Sequence, residues 1–212
     1  MRAVIFANGE LNDPRGAKAL VRDGDWLIAA DGGARHCLAL GFTPHVLIGD
    51  MDSLTEKEVA GLADAGTIII RHETRKDETD LELALLHAQR EGTQQALVLG
   101  GLGRRWDQTM ANLLLPAYHR LRELEIVFWD NGEWLYLVDR ERQIEGHKGL
   151  RVSLIPLGGD AEGVSTEGLE YPLNNDTLIF GATRGMSNVM LAAQAQVKVQ
   201  QGVLLCIVGA SE

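Results

Sequence analysis

The stretch VLIGDMDS at residues 46–53 sets the pattern for the N-terminal part of the chain. An uninterrupted apolar run ends in a glycine and two acids, which is typical of a buried strand that opens into a loop. Asp50 and Asp52 lie two residues apart in that loop, so both carboxylates can point at one cation. The sequence therefore predicts a strand with an acidic loop at its carboxyl end.

The same alternation extends in both directions from this stretch. Apolar runs predict strands at residues 3–7, 26–30, 46–48, 67–70, 96–99 and 126–129. Amphipathic stretches between them predict helices at residues 15–21, 34–40, 56–62, 81–90 and 109–121. Unbroken apolar strands that alternate with helices indicate an α/β fold, in which a parallel sheet carries helices on both faces as three layers.

The pattern changes after about residue 134. Short β-type runs at residues 151–157, 177–180, 195–199 and 203–208 are separated by Gly, Asn and Asp, without a helical period between them. Gln200-Gln201-Gly202 predicts a hairpin that joins the last two runs. We therefore predict an α/β domain over residues 1–138 and a small all-β, sandwich-like domain over residues 139–212.

Composition narrows the functional classes. The chain has 212 residues, 45% of them hydrophobic, and a net charge of −10. This charge argues against a nucleic-acid partner, because backbone phosphates attract Lys and Arg. Cys37 and Cys206 are far apart and predict neither a disulfide framework nor a zinc site, but two buried small side chains. No apolar run approaches the roughly 20 residues that cross a bilayer, so we expect a cytoplasmic protein without a membrane partner.

Polar or glycine-rich loops follow five of the predicted strands. They are Asn8-Gly9, Asp31-Gly32-Gly33, Asp50 to Ser53, Arg71 to Asp80, and Gly100 to Asp107. Ligands of parallel α/β sheets bind outside the carboxyl ends of the strands. We therefore expect these loops to converge on one rim.

Each acidic cluster has two interpretations. Asp50 and Asp52 suit Mg²⁺, but they also suit an Asx-turn before a capping box that Ser53 and Glu56 would form. Asp77 and Asp80 precede a predicted helix, where Thr79 and Glu82 spell another capping box. In that second cluster, Arg75 and Lys76 could meet the phosphates that a metal at Asp77 would bring.

Two further loops are candidates for ligand binding. Gly100 to Asp107 combines flexible backbone N–H groups with the guanidinium groups of Arg104 and Arg105, which suits phosphate, although it matches no Walker A loop. Ser187 and Asn188 lie in a polar, glycine-bounded loop of the β part. They could bind a small polar heterocycle or be ordinary turn residues.

Taken in order, the motifs resemble the thiamine pyrophosphokinase family. They are ADGGA at 30–34, GDMDS at 49–53, KDETDLE at 76–82, GGLGRRWDQ at 100–108, VSLIPL at 152–157, GLEYPL at 168–173 and GMSN at 185–188. Together they span almost the whole chain and both predicted domains. Two positions depart from the family pattern, since Gln108 stands where His is common and Val189 where Glu is common.

The resemblance implies transfer of pyrophosphate from ATP to thiamine, with Mg²⁺, in a homodimer whose active site lies between the α/β domain of one subunit and the β domain of the other. It implies metal ligands at Asp50, Asp52 and Asp77 and thiamine contacts at Ser187 and Asn188. On the ATP side it implies Asn8, Asp31, Gly32, Lys76, Gly101 and Arg104. The residues that it implies for catalysis are Asp80, Arg104 and Asp107.

Three other functions are weighed against this one. A pyrophosphokinase of the same architecture could act on another alcohol, such as a hydroxymethylpterin. A phosphatase of the haloacid dehalogenase type also uses two acids in this spacing, but it carries them after its first strand, where this chain has Asn8-Gly9. The third is a nucleotide-sensing module without catalytic turnover, and the presence of all the acids together with Arg104 argues against it.

Overall fold

The computed structural model describes residues 1–209. The chain divides into two compact units, Met1–Asn131 and a second unit that begins at Gly132. The division falls seven residues before the boundary expected from sequence, because strand β7 (Glu133–Val138) pairs with the last strand of the second unit.

Unit 1 is built on a parallel sheet of six strands. They are β1 (Arg2–Phe6), β2 (Trp26–Ala30), β3 (Val46–Gly49), β4 (Ile68–Arg71), β5 (Gln95–Leu99) and β6 (Glu125–Asp130), in the order β6-β5-β1-β2-β3-β4. All five pairings between them are parallel. The parallel sheet predicted from the apolar runs is confirmed.

The helices of unit 1 cover both faces of this sheet. They are α1 (Pro14–Leu20), α2 (Gly33–Ala39), α3 (Glu56–Asp64), α4 (Asp80–Arg90) and α5 (Trp106–Leu114). Consecutive residues of β2 from Leu27 to Ala30 are all buried, although neighbouring side chains of a strand point to opposite faces. On one face, Val59 and Leu62 of α3 pack with Ala29 and Leu47 of the sheet. The predicted three-layer arrangement is confirmed.

Two local predictions for the helices were wrong. The capping box of α3 is formed by Thr55 and Glu58, not by Ser53 and Glu56. Helix α5 ends at Leu114, and two 3₁₀ turns at residues 115–117 and 119–121 replace the predicted continuation to residue 121. Pro116 accounts for this end, because proline lacks the backbone N–H that would continue the helical hydrogen bonds.

Unit 2 consists of two antiparallel sheets. Its strands are β7, β8 (Glu141–Glu145), β9 (Arg151–Pro156), β10 (Ala161–Glu167), β11 (Asp176–Leu178), β12 (Asn188–Val189), β13 (Gln194–Lys198) and β14 (Leu204–Gly209). One sheet has the order β12-β9-β14-β7 and the other β11-β10-β13-β8. Buried and exposed residues alternate along β13, as expected for a strand with one face in a core.

The predicted hairpin at residues 200–202 was wrong. Strand β13 pairs with β8 and β10, whereas β14 pairs with β7 and β9, so the segment passes from one sheet to the other. Gln201 forms a bridge with Glu162, and Gly202 has a φ of 92° where an added Cβ would lie 2.5 Å from the carbonyl oxygen of Asp160. The two runs therefore follow each other without pairing.

Both cysteines are buried, as predicted, and burial raises the pKa of each thiol to about 12. Within residues 1–209, no helix has the length and apolarity needed to cross a membrane.

Candidate active site

A polar cleft of unit 1 lies where the strand order reverses. Strand β1 has β2 on one side and β5 on the other, so the loops that leave β1 and β5 diverge from a topological switch point, the usual ligand position in such sheets. The cleft has a volume of about 560 Å³. Its lining includes these predicted site residues: Asn8, Asp31, Asp50, Asp52, Asp80, Gly101 and Arg104.

Three carboxylates form a compact cluster in the cleft. One oxygen each from Asp31, Asp50 and Asp52 lies within 4.8 Å of the other two. Asp31 is only 4% exposed, and within the described chain its Oδ1 is buried without a hydrogen-bond partner. A buried carboxylate oxygen is costly unless something neutralises it. A divalent cation with oxygen ligands fits this donor set.

The loop after β3 is compatible with both interpretations of its acids, an Asx-turn and a cation site. Oδ1 of Asp50 accepts a hydrogen bond from the backbone N–H of Asp52 at 3.1 Å, which is the Asx-turn considered from sequence. Met51 between them has a φ of 67°, a left-handed backbone conformation that residues other than glycine rarely adopt. The turn directs both acids into the cleft, so its local role and cation binding are compatible.

Asp80 approaches this cluster from the first turn of α4. Its Oδ1 lies 2.9 Å from Nζ of Lys76. Burial raises the pKa of Asp80, Lys76 opposes this rise, and the charges of Asp31 and Asp50 add to it. The close approach depends on Gly49, which has a φ of 151°, since a Cβ there would lie 3.0 Å from Cβ of Asp31 and 3.1 Å from Oδ1 of Asp80.

The loops after β1 and β5 are joined by backbone hydrogen bonds. Gly9 N–H donates to the carbonyl oxygen of Gly100 at 2.7 Å, and Glu10 N–H to that of Leu102 at 2.9 Å. A Cβ at Gly9 would lie 2.4 Å from the latter oxygen, so only glycine permits this contact. The glycine–arginine loop is thereby fixed against the end of β1.

Asn8 connects the two sides of the cleft. Its Nδ2 donates to Oγ of Ser53 at 3.1 Å, and its carbonyl oxygen accepts from Nη1 of Arg104 at 3.4 Å. Its side chain occupies the space beside Gly32, where a Cβ would lie 2.5 Å from Cγ of Asn8. Arg104 is thus linked through Asn8 to Ser53 in the loop of the acidic cluster.

Four predicted site residues of unit 1 lie outside the lining of this cleft: Gly32, Lys76, Asp77 and Asp107. Asp77 lines a second cavity of unit 1 together with Glu78, Glu82 and Arg120. Asp107 is exposed and pairs with Arg105, whose hydrogen bonds lower the pKa of Asp107. Lys76 reaches the cleft only through its contact with Asp80.

Two cleft residues on α5 were missed from sequence. Gln108 lines the cleft, although it was noted only as a departure from the family pattern, and Asn112 lies one helical turn further on. Nδ2 of Asn112 donates to the carbonyl oxygen of Gly101 at 2.6 Å and so supports the glycine–arginine loop. Their i, i+4 spacing just after that loop could have indicated them, because residues four apart lie on the same face of a helix.

The loop with Ser187 and Asn188 belongs to unit 2. Ser187 has a φ of 57°, and its N–H donates to Oγ of Ser153 at 3.0 Å. The side chain of Asn188 is hydrogen-bonded to the backbone of Tyr171. These contacts join three of the quoted motifs, VSLIPL, GLEYPL and GMSN, within one unit.

Fold and site together define an α/β protein with a candidate site for a phosphate-bearing ligand and a divalent cation at its topological switch point. The chain belongs to the thiamin pyrophosphokinase family. Residues 17–128 match the family model described as thiamin pyrophosphokinase, catalytic domain. Residues 138–204 match the model described as thiamin pyrophosphokinase, vitamin B1 binding domain.

Curated relatives and solved structures agree with this assignment. The thiamine pyrophosphokinase of Bacillus subtilis (strain 168) is 29% identical over 182 residues, 85% of each chain. Thiamine pyrophosphokinase 1 of Oryza sativa subsp. japonica is 27% identical over 214 residues, 89% of this chain and 80% of the relative. The crystal structure of thiamine pyrophosphokinase from Bacillus subtilis aligns over 100% of both chains with a TM-score of 0.90 and 26% identity.

Proposed function

We propose that this chain transfers the pyrophosphoryl group of ATP to the hydroxyethyl oxygen of thiamine and releases AMP. The observation that carries the proposal is the cleft at the switch point, which is lined by the acidic cluster of Asp31, Asp50 and Asp52 and by Arg104. The cleft lies in the part of the chain that matches the catalytic domain of the family, and a separate match to the vitamin B1 binding domain supports thiamine as the acceptor. Neither match supports a pterin acceptor.

In the proposed reaction, the thiamine hydroxyl oxygen forms a bond to the β-phosphorus of ATP. The bond between that phosphorus and the oxygen bridging to the α-phosphate breaks, and AMP leaves with the electron pair. Such transfers depend on positioning and on charge neutralisation more than on covalent catalysis. We propose that Arg104 stabilises charge on the transferred group, because it lines the same cleft as the acids.

Asp31, Asp50 and Asp52 fit the requirements of a Mg²⁺ site, and Asp31 supplies a buried carboxylate oxygen without a protein partner. When bound there, Mg²⁺ would neutralise the charge of phosphate oxygens. A metal role for Asp77 stays a prediction, since that residue lines the second cavity.

We propose Asp80, rather than Asp107, as the group that accepts the hydroxyl proton. Asp80 lines the cleft and burial raises its pKa, whereas Asp107 is exposed and paired with Arg105. The family resemblance further leads us to propose a homodimer and a cytoplasmic location.

The decisive experiment incubates the protein with ATP, Mg²⁺ and thiamine and identifies the nucleotide product. We expect AMP and thiamine diphosphate in equal amounts. ADP would indicate a simple kinase, and AMP formed only with a hydroxymethylpterin would indicate the other acceptor. Arg104→Ala should abolish most turnover, while Arg15→Ala, which removes an exposed arginine of α1, should not.

A further inference from the structure

We propose that Thr109 is a positioning residue, which holds the backbone turn at Arg104 and thereby keeps the guanidinium of Arg104 in the cleft. The proposal rests on the proposed function, because the role of Arg104 in the transfer belongs to that function. Thr109 lies outside the lining of the cleft, so it acts through the turn and not by contact with a substrate.

The first step is the backbone of Arg104. Its φ is 61°, a left-handed conformation that residues other than glycine rarely adopt. Across Arg104, the N–H of Arg105 donates to the carbonyl oxygen of Gly103 at 2.7 Å. A hydrogen bond between residues i+2 and i around a residue of positive φ is that of a γ-turn of the rare, strained kind. Such strain persists only where the surrounding structure fixes it, and it is concentrated at functional sites.

The second step is the contact of Thr109 with both neighbours of Arg104. Oγ1 of Thr109 accepts a hydrogen bond from Gly103 N–H at 3.1 Å, and its O–H donates a longer one to the carbonyl oxygen of Gly103 at 3.4 Å. The backbone N–H of Thr109 donates to the carbonyl oxygen of Arg105 at 2.9 Å. Thr109 therefore holds the residue before the strained position and the residue after it.

The third step is the contrast in burial between Thr109 and the turn. Thr109 is only 8% exposed, whereas Gly103, Arg104 and Arg105 are exposed. Arg105 is the N-cap of α5 but makes no capping hydrogen bond with its side chain. The buried hydroxyl of Thr109 thus fixes the entry to α5 from inside the helix.

The fourth step is the rest of the glycine–arginine loop. The carbonyl oxygens of Gly100 and Leu102 accept backbone hydrogen bonds from the loop after β1, and that of Gly101 accepts from the side chain of Asn112. These contacts fix the loop up to Leu102. Gly103, the next residue, is the one that Thr109 holds.

The turn sets the direction of the Arg104 side chain. Nη1 of Arg104 donates to the carbonyl oxygen of Asn8 at 3.4 Å, and Arg104 lines the cleft. Because the Cα–Cβ bond turns relative to the chain when φ changes sign, relaxation of the turn would carry the guanidinium away from Asn8. A guanidinium held in place before the reaction needs no reorganisation during it. Loss of the Thr109 hydroxyl should therefore lower kcat more than it changes substrate binding.

Steady-state assays with ATP, Mg²⁺ and thiamine test this role. Thr109→Val removes the hydroxyl and should lower kcat about tenfold, with both KM values within about threefold of wild type. Thr109→Ala, a second variant without the hydroxyl, should show a similar loss. Thr109→Ser keeps the hydroxyl and should restore kcat to within about threefold of wild type.

A double-mutant cycle and a control complete the test. In the Arg104→Ala background, Thr109→Val should lower kcat by less than about twofold, because the side chain that it positions is absent. Thr93→Val is the matched control, since Thr93 is a buried threonine outside the cleft lining whose Oγ1 has no hydrogen-bond partner within residues 1–209. Its kcat should stay within about twofold of wild type.

Three results would overturn the proposal. A kcat of Thr109→Ser as low as that of Thr109→Val would show that the hydroxyl is not responsible. A further loss of about tenfold in the Arg104→Ala background would mean that Thr109 acts independently of Arg104. An equal loss in Thr93→Val would make the effect a general consequence of removing a buried hydroxyl.

Amide hydrogen exchange, followed by NMR in the full chain without substrates, separates this proposal from the proposed function. The Gly103 amide should exchange about tenfold faster in Thr109→Val than in wild type, and within about threefold of wild type in Thr109→Ser. If wild type forms no AMP with thiamine but this pattern is found, the function is wrong and the hold of Thr109 on the turn stands. Equal exchange in all three proteins would refute that hold, whatever the activity.

Discussion

Replacement of Asp31 by asparagine should make the metal-free protein more stable and less responsive to Mg²⁺. Asp31 is buried, its Oδ1 has no hydrogen-bond partner within residues 1–209, and it shares the cleft with Asp50 and Asp52. The substitution keeps the shape of the side chain and removes its charge. It therefore relieves repulsion among the carboxylates while weakening the cation site.

The size of the effect follows from the separation of the charges. Two unit charges at the 4.8 Å limit of the cluster repel by about 0.9 kcal/mol in bulk water and by about 3.5 kcal/mol at an effective dielectric constant of 20. Asp52 is exposed and Asp50 half-buried, so solvent screens much of this repulsion. We expect a gain of about 1–2 kcal/mol, which for a chain of this length corresponds to a Tm rise of roughly 2–8 °C.

The assay is thermal unfolding in a chelator and again at increasing Mg²⁺. The Tm of wild type should rise with Mg²⁺, because binding at a hundredfold excess over Kd adds about 2.7 kcal/mol to the free energy of unfolding. Asp31→Asn should lose most of this stabilisation. Asp23→Asn is the control, because it removes the same charge from an exposed loop. A lower Tm of Asp31→Asn in chelator, together with a wild-type response to Mg²⁺, would refute the reasoning and make Asp31 a purely structural residue.

Three further predictions concern single positions. Asp50→Asn and Asp77→Asn should each lower kcat at least about 100-fold in steady-state assays, because Asp50 lies in the acidic cluster and Asp77 is a predicted metal ligand; a loss of less than about tenfold in Asp77→Asn would remove its predicted metal role. Gly49→Ala should lower the free energy of unfolding in urea by about 1–3 kcal/mol. Gly61→Ala should raise it by about 0.5–1 kcal/mol, because Gly61 lies in α3 with open space beside it. If both variants changed stability in the same direction, the close approach at Gly49 would be contradicted. Hydrogen bonds from Arg35 lower the pKa of Glu58 to about 2, below its ordinary 4.5, so its contribution to stability is present above pH 4.5 and lost as the pH falls towards 2. In Glu58→Gln the fall in Tm over that pH range should be shallower, and an unchanged slope would exclude this ion pair as a contributor.

The α/β part of the fold was readable from sequence because its strands are buried on both faces. Residues such as those of β2 and β3 form continuous apolar runs, which local pattern detects. Strands β8 and β10 were missed, because each has one solvent-facing side and contains Glu, Gln, Ser or Thr. The hairpin at residues 200–202 failed for a related reason, since two consecutive apolar runs do not reveal that they belong to different sheets.

For the candidate site, residue types and loop positions were predictable, but their grouping was not. Asp50, Asp52 and Arg104 follow strands of the sheet, and the rule for parallel α/β proteins places them at one rim. Asn112 and Gln108 reach the cleft only through the direction of α5, which no local motif encodes.

The sequence by itself determined that acids, glycines and arginines follow the strands of a parallel sheet, because strands that are buried on both faces appear in the sequence as continuous apolar runs. Only the tertiary structure decided which acids meet. Asp77 is close to Asp80 in sequence but lines another cavity, while Asp31, far away in sequence, joins Asp50 and Asp52. The reason is strand order: pairing of β2 with β3 brings the loops of Asp31 and Asp50 side by side, and Gly49 leaves the space that Asp31 and Asp80 need.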